Sequence, residues 1–409
     1  MSRRVRLNLW LLSAMLVTAM AAPTLAQESP PITVADAHSY TFGQQITFDV
    51  DVSSPTPVTA LYLYLQTEGV AYGVPHPVPI TPGTDVHTSL QRDLHQHPLP
   101  PFAHVQWWWE VRGDGGALLT TEPQSFQYVD NRFEWHTTST EHLFLHTVVD
   151  DPVYVQAAVE IGETALARIA QALQTAPVSG IDVYVYPATA DLRAALEMTG
   201  RDWAGGQARP ELGTVLVAAP PDSSARTRME RDIPHELTHL LVYQVTGPEG
   251  YPYVPAWLNE GLATANELRP DPELEVVLES ARAQGQLVPL SDLCPPFPNS
   301  RDTALLYYAQ SGSIVRYVRE QYGNSGIRAL LTTYADGAGC ESGVTRALDV
   351  TPQQLELAWR AHLVGLSSWM SWTVDNVPLL AVWGISLLLA VPMVGLGQRR
   401  RREKKKEEE

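Results

Sequence analysis

The sequence predicts a multidomain chain with three parts in series. These are an N-terminal all-β immunoglobulin-like sandwich, a mixed α+β domain around a metal-binding helix, and one C-terminal transmembrane helix. Three observations carry this. Residues 32–128 alternate apolar and polar side chains between Pro and Gly turns, His235-Glu236-Leu237-Thr238-His239 spaces two imidazoles four residues apart, and Val377–Leu396 is an uncharged, mostly apolar run.

The first 26 residues have the features of a secretory signal: a basic start at Ser2-Arg3-Arg4-Val5-Arg6, an apolar stretch from Leu7 to Ala22, and Ala26 before the expected cleavage site. The sandwich is expected over 27–131. Its strands are read at Gln45–Val52, Ala60–Leu65 and Val105–Val111, where the period of two and the bounding turns fit short antiparallel strands. Six scattered histidines there (His38, His76, His87, His95, His97, His104) form no ligand pattern, and His95-Gln96-His97 reads as a solvated loop. Trp107, Trp108 and Trp109 are expected to divide between core and surface, with a carbohydrate-stacking role for Trp108 as a minor alternative.

From residue 132 the texture changes. Pro152–Thr175 has helical apolar spacing, Ile181–Tyr186 and Thr214–Ala218 read as strands, and Ala188–Met198 reads as a further helix. Pro234 precedes His235, so the metal helix either starts near Asp232 or kinks at the proline. Helices are expected at Pro272–Gln284, at Thr303–Gln321 before Gly323, and at Thr351–Leu366, with a proline-rich loop at Pro289–Pro298. Cys294 and Cys340 are the only cysteines, and in an exported chain an even pair is expected to bridge.

Helical residues four apart share a face, so His235 and His239 can hold one metal ion with Glu236 beside it. A catalytic zinc needs a third protein ligand and an open position. Glu260, in Trp257-Leu258-Asn259-Glu260-Gly261-Leu262-Ala263, is the expected third ligand. Glu236 is then placed as general base. On these residues the chain resembles a gluzincin, the zinc peptidase clan of thermolysin and the zinc aminopeptidases, and is most similar to small peptidase MA-like domains. The resemblance covers most of residues 132–370 and implies a thermolysin-like zincin fold, one zinc per chain and a peptide or protein substrate. It also implies that the strand before the metal helix, Thr214–Ala218, is the sheet edge to which substrate adds. Tyr308, in Tyr308-Ala309-Gln310-Ser311-Gly312, matches the transition-state tyrosine of the zinc aminopeptidases, with Tyr307 as its rival because adjacent helical residues point about 100° apart. Gln310 stands where some relatives carry lysine, and no role is transferred to it. Thr264 is a candidate to hydrogen-bond a ligand. The aminopeptidase G-x-M-E-N motif does not occur in Gly213–Ala218, which favours an endopeptidase over an aminopeptidase.

Val377–Leu396 is long enough to cross a bilayer as a helix, and the basic cluster Arg399–Lys406 in the tail 397–409 is expected to stay cytoplasmic. That makes a single-pass type I protein of the cell membrane with its ectodomain outside. Trp369 and Trp372 suit the membrane interface. Between Gln27 and Asn376 there are 18 arginines, no lysine and 41 acidic residues, a formal charge near −23. Such a surface excludes nucleic acid as a partner. The reading is a membrane-anchored, outward-facing zinc metallopeptidase. Its alternatives are a catalytically inactive surface binding or adhesion protein that uses the sandwich, and a zinc hydrolase of a non-peptide substrate.

Overall fold

The computed structural model describes residues 31–68, 72–196, 205–298 and 300–365. The expected signal peptide, transmembrane helix, tail, Trp369 and Trp372 lie outside the described residues. Among the described residues no helix is long and apolar enough to cross a membrane.

The N-terminal region holds eight strands: β1 (Thr33–Thr41), β2 (Gln45–Val58), β3 (Ala60–Thr67), β4 (Val74–Val78), β5 (Gly83–Asp93), β6 (His104–Gly113), β7 (Gly116–Thr120) and β8 (Gln124–Gln127). One antiparallel sheet has the order β1-β2-β5; the other runs β4-β3-β6-β7, with β8 also paired to β6. Period-two patterning aims Ile46, Phe48, Val50 and Val52 of β2 at Val105, Trp107, Trp109 and Val111 of β6, all within one buried core. The Trp107 and Trp109 indoles both donate to Asp36 Oδ2, at 2.7 and 2.9 Å, so two buried N–H groups share one carboxylate. Trp108 faces outward and stacks on Tyr64, with ring centroids 5.3 Å apart. His95-Gln96-His97 is an exposed turn.

Among the described residues, the second region builds one five-stranded sheet and eight α-helices. Its strands are β9 (His136–Ser139), β10 (Leu143–Thr147), β11 (Ile181–Tyr186), β12 (Gly206–Arg209) and β13 (Thr214–Ala218), in the order β12-β13-β11-β10-β9. The helices are α1 (Pro152–Ala172), α2 (Thr189–Leu196), α3 (Ala225–Gly250), α4 (Ala256–Asn266), α5 (Pro272–Ala283), α6 (Arg301–Ala335), α7 (Cys340–Leu348) and α8 (Pro352–Gly365). The central strands β10, β11 and β13 are parallel, while β12 and β9 are antiparallel edges. This corrects the expected edge. Thr214–Ala218 is internal, and the strand that borders the site is the short β12.

Two helix expectations also change. The metal helix does not start near Asp232: α3 begins at Ala225, Pro234 lies inside it, and the backbone angles stay helical until Gly247. The helix expected to end at Gly323 turns there through a positive φ of 67°, but a second helical stretch follows at once to Ala335.

Each face of the second sheet is covered differently. Leu143, Leu145, Val183, Val185, Val215 and Val217 pack with α1 and α3 in the helical core. Tyr184, Tyr186, Leu216 and Ala218 point the other way and are buried in the same core as the sandwich strands, together with Leu192, Ala195 and Leu196 of α2. The joint is ordered by polar contacts. The fully buried Asp130 accepts from Tyr186 Oη at 3.0 Å and from Arg132 Nε and Nη2 at 2.8 and 2.6 Å, and Arg132 Nη2 also donates to the Asp191 carbonyl.

Candidate active site

Helices α3 and α4 bring His235, His239 and Glu260 together, with their ligand atoms all within 4.8 Å of one another. Glu260 Oε2 lies 3.5 Å from His235 Nε2 and 3.6 Å from His239 Nε2. Two donors bound about 2.1 Å from one zinc at a tetrahedral angle lie about 3.4 Å apart. The donor set therefore fits zinc in chemistry and in spacing.

The other nitrogens of the two imidazoles are held. His235 Nδ1 donates to Glu267 Oε1 at 3.1 Å, and His239 Nδ1 donates to Asn259 Oδ1 at 3.1 Å. Each contact fixes the tautomer that leaves an Nε2 lone pair for the metal. Burial opposes a charge on His235, but Glu260 and Glu267 outweigh it and hold its pKa well above the ordinary imidazole value.

Glu236 follows His235 on α3 and is buried beneath β12. Its pKa is pushed up to about 7, chiefly by burial; the His235 charge opposes this, and Glu260 and Asp232 reinforce it. The Ala208 backbone N–H contacts the carboxylate. A Cβ at Gly206 would stand 2.8 Å from Glu236 Oε1 and 2.9 Å from the Leu216 carbonyl, so only glycine lets β12 lie this close to the base.

Tyr308 of α6 lines the same cavity, and its ring centroid is 6.0 Å from that of His235. Tyr307 turns away to pack on the helical core. Close approach of α4 and α6 creates this geometry: a Cβ at Gly261 would fall 2.6 Å from the Ser311 carbonyl, and one at Gly312 would fall 2.8 Å from Thr264 Cγ2. Phe297, on the loop before α6, packs edge-on against Tyr308 at 5.1 Å. Cys294 of that loop is bridged to Cys340, and its carbonyl accepts the Ala256 N–H at the start of α4 at 3.0 Å. Buried Gln310 bonds both backbone groups of Val288, at 2.9 and 3.0 Å, and so pins the same connection.

Several participants were missed in the sequence. Glu267, Asn259, Tyr251 and the β12 backbone all border the cavity of about 710 Å³. Tyr251 Oη accepts from Asn259 Nδ2 at 3.2 Å, and burial pushes its pKa up to about 12. Glu267 sits one residue past the end of α4 with non-helical backbone angles, so spacing from Glu260 gave no signal for it. Thr264, expected to bond a ligand, instead has a buried hydroxyl with no hydrogen-bond partner; Glu267 and Asn259 occupy the ligand nitrogens.

Against known families, the Peptidase MA superfamily profile matches residues 161–365, half of the chain. The chain belongs to the Peptidase MA superfamily. The matched span contains all three candidate ligands, Glu236 and Tyr308 of this Peptidase MA member. No curated protein matches it. Among solved structures it is similar to a mutant M1 zinc metallopeptidase from Deinococcus radiodurans, at 11% identity and a TM-score of 0.36 over 80% of this chain and 92% of that one. It is likewise similar to a two-domain M1 zinc metallopeptidase mutant bound to L-arginine, at 13% and 0.37 over 80% and 93%. A third, an aminopeptidase N family protein from Idiomarina loihiensis, stands at 8% and 0.35 over 78% and 73%. Likeness at this level does not bear on the chemistry of the site.

Proposed function

We propose that this Peptidase MA member is a zinc endopeptidase, anchored in the membrane and facing outward. The observation that carries the reading is the convergence of His235, His239 and Glu260 in a cavity that also holds Glu236 and borders the open edge of β12. His235, His239 and Glu260 would hold a zinc ion, which would supply a Lewis acid and lower the pKa of water. Glu236 takes the proton of the attacking water and delivers it to the leaving amine. The Tyr308 hydroxyl donates to the oxyanion as charge develops on the scissile oxygen. An extended peptide lies along β12 by backbone pairing.

Support for an endopeptidase comes from β12 itself. The aminopeptidase G-x-M-E-N motif does not occur in Gly205-Gly206-Gln207-Ala208-Arg209, the described segment beside the metal residues. The two facing antiparallel sheets support an immunoglobulin-like N-terminal domain. The basic start, the apolar run 377–396 and the basic cluster after it support export and a type I anchor.

The test is digestion of a proteome-derived peptide library by the purified protein, with and without chelator. Internal cleavage that stops with chelator is expected. Removal of N-terminal residues alone would replace the endopeptidase by an aminopeptidase; zinc without any cleavage would favour the inactive binding protein. In intact cells, an epitope placed after Arg402 should survive external protease, and its loss without lysis would reverse the topology.

A further inference from the structure

Pro234 lies inside α3, one residue before a metal ligand. In an uninterrupted helix the N–H of residue 234 would donate to the carbonyl of residue 230. Proline has no N–H, so the Glu230 carbonyl is left without its in-helix donor. A backbone acceptor freed in this way takes its hydrogen bond from another donor. It accepts instead from the backbone of a distant segment, the Leu268 N–H at 2.9 Å and the Arg269 N–H at 3.3 Å.

That segment directly follows Glu267. Helix α4 ends at Asn266, and Glu267 has left helical angles, with φ −53° and ψ 133°. The position of Glu267 is therefore not dictated by the helix that carries Glu260; it depends on what anchors the next residues. Leu268 packs on the helical core, Arg231 reaches Asp271 at 3.1 Å, and the two N–H groups dock on Glu230. Glu267 Oε1 is the acceptor for His235 Nδ1, while its other oxygen has no hydrogen-bond partner among the described residues, so His235 is its hydrogen-bond anchor there.

We propose that Pro234 is a positioning residue of the metal site: by vacating the Glu230 carbonyl it gives Leu268 and Arg269 their acceptor, and through them it seats Glu267 on His235. The effect on metal affinity rests on the zinc reading above, whereas the seating itself does not. A merely structural role predicts the opposite trend for Pro234→Ala, since alanine is the better helix residue and should raise thermal stability.

The test uses the full-length chain as wild type, Pro234→Ala, Glu267→Ala and the double variant. Backbone hydrogen exchange reads the seating, and competition with a chelator reads zinc affinity. In Pro234→Ala the restored N–H competes for the Glu230 carbonyl. Exchange at Leu268 and Arg269 should speed by roughly tenfold or more, and zinc affinity should fall by about 10- to 100-fold. In the Glu267→Ala background the same change should cost no further affinity, because the acceptor it acts through is already gone. Unchanged exchange at both amides would overturn the proposal. So would an equal loss of affinity in both backgrounds, which would mean that the proline acts on His235 through α3 alone. If wild type bound no zinc, the zinc reading would fail, and the exchange result alone would decide the seating.

Discussion

Replacing Glu236 by glutamine isolates the energetic consequence of burying the proposed base. In the metal-free protein the Glu236 pKa rises from 4.5 to about 7, with burial as the largest cause. At 1.36 kcal/mol per pH unit, that rise corresponds to about 3 kcal/mol. The folded pKa lies above the unfolded one, so this contribution to stability is fully present below about pH 4.5 and is lost as pH rises through about 7. Glutamine mimics the neutral acid at every pH. Metal-free Glu236→Gln should match wild type near pH 4 and exceed it by about 3 kcal/mol near pH 8, as read by urea denaturation. With zinc bound, the added positive charge pulls the carboxyl pKa down, so the acidic limb of turnover should lie below about pH 7 and vanish in the variant. Turnover of the variant should fall by about a hundredfold or more while zinc is retained. A stability difference that does not change between pH 4 and pH 8 would refute the reasoning, since it would mean that Glu236 is not desolvated.

Further expectations arise from the same geometry. Gly206→Ala must push its new methyl against Glu236 or the Leu216 carbonyl, so turnover should drop by at least about tenfold with zinc content unchanged; full activity in a kinetic assay would show that β12 can retreat freely. Tyr308→Phe should lower turnover by about 10² to 10³ with little change in substrate affinity, and Tyr307→Phe, which packs on the core, should be nearly silent; the reverse pattern would exchange their roles. Replacing Cys294 and Cys340 by serine opens a loop of 46 residues, which chain entropy values at about 4 kcal/mol, and should lower the melting temperature and loosen the start of α4. An unaltered melt would count against the bridge as a stabilising element.

The legible parts of this molecule were those in which chemistry or periodicity is local. His235, Glu236 and His239 form one short motif, Ile181–Tyr186 and Thr214–Ala218 are apolar runs bounded by turns, and both appear where expected. Strand β12 was not legible because Gly-Gln-Ala-Arg has no apolar alternation; it is a strand only through its pairing with β13. The stretch after Gly323 was hidden for the opposite reason: glycine ended the expected helix, although a positive φ at one residue can also join two helices without a loop. Glu267 was missed because it lies beyond the end of α4, where helical spacing no longer states what a side chain meets. Thr264 shows the converse error, since its place one turn after Glu260 is helical geometry without a partner.

The shared core beneath Tyr184 and Tyr186 bears on how this protein can be rearranged. A peptidase half cut at residue 132 would begin after Asp130, leave the Tyr186 hydroxyl without its acceptor, and uncover an aromatic and aliphatic sheet face that β-strands now close. The sandwich is therefore a missing wall of the enzyme and not cargo carried beside it. Swapping it for an unrelated head, as is done with tethered binding modules, would exchange part of the peptidase interior. The two halves are expected to unfold together.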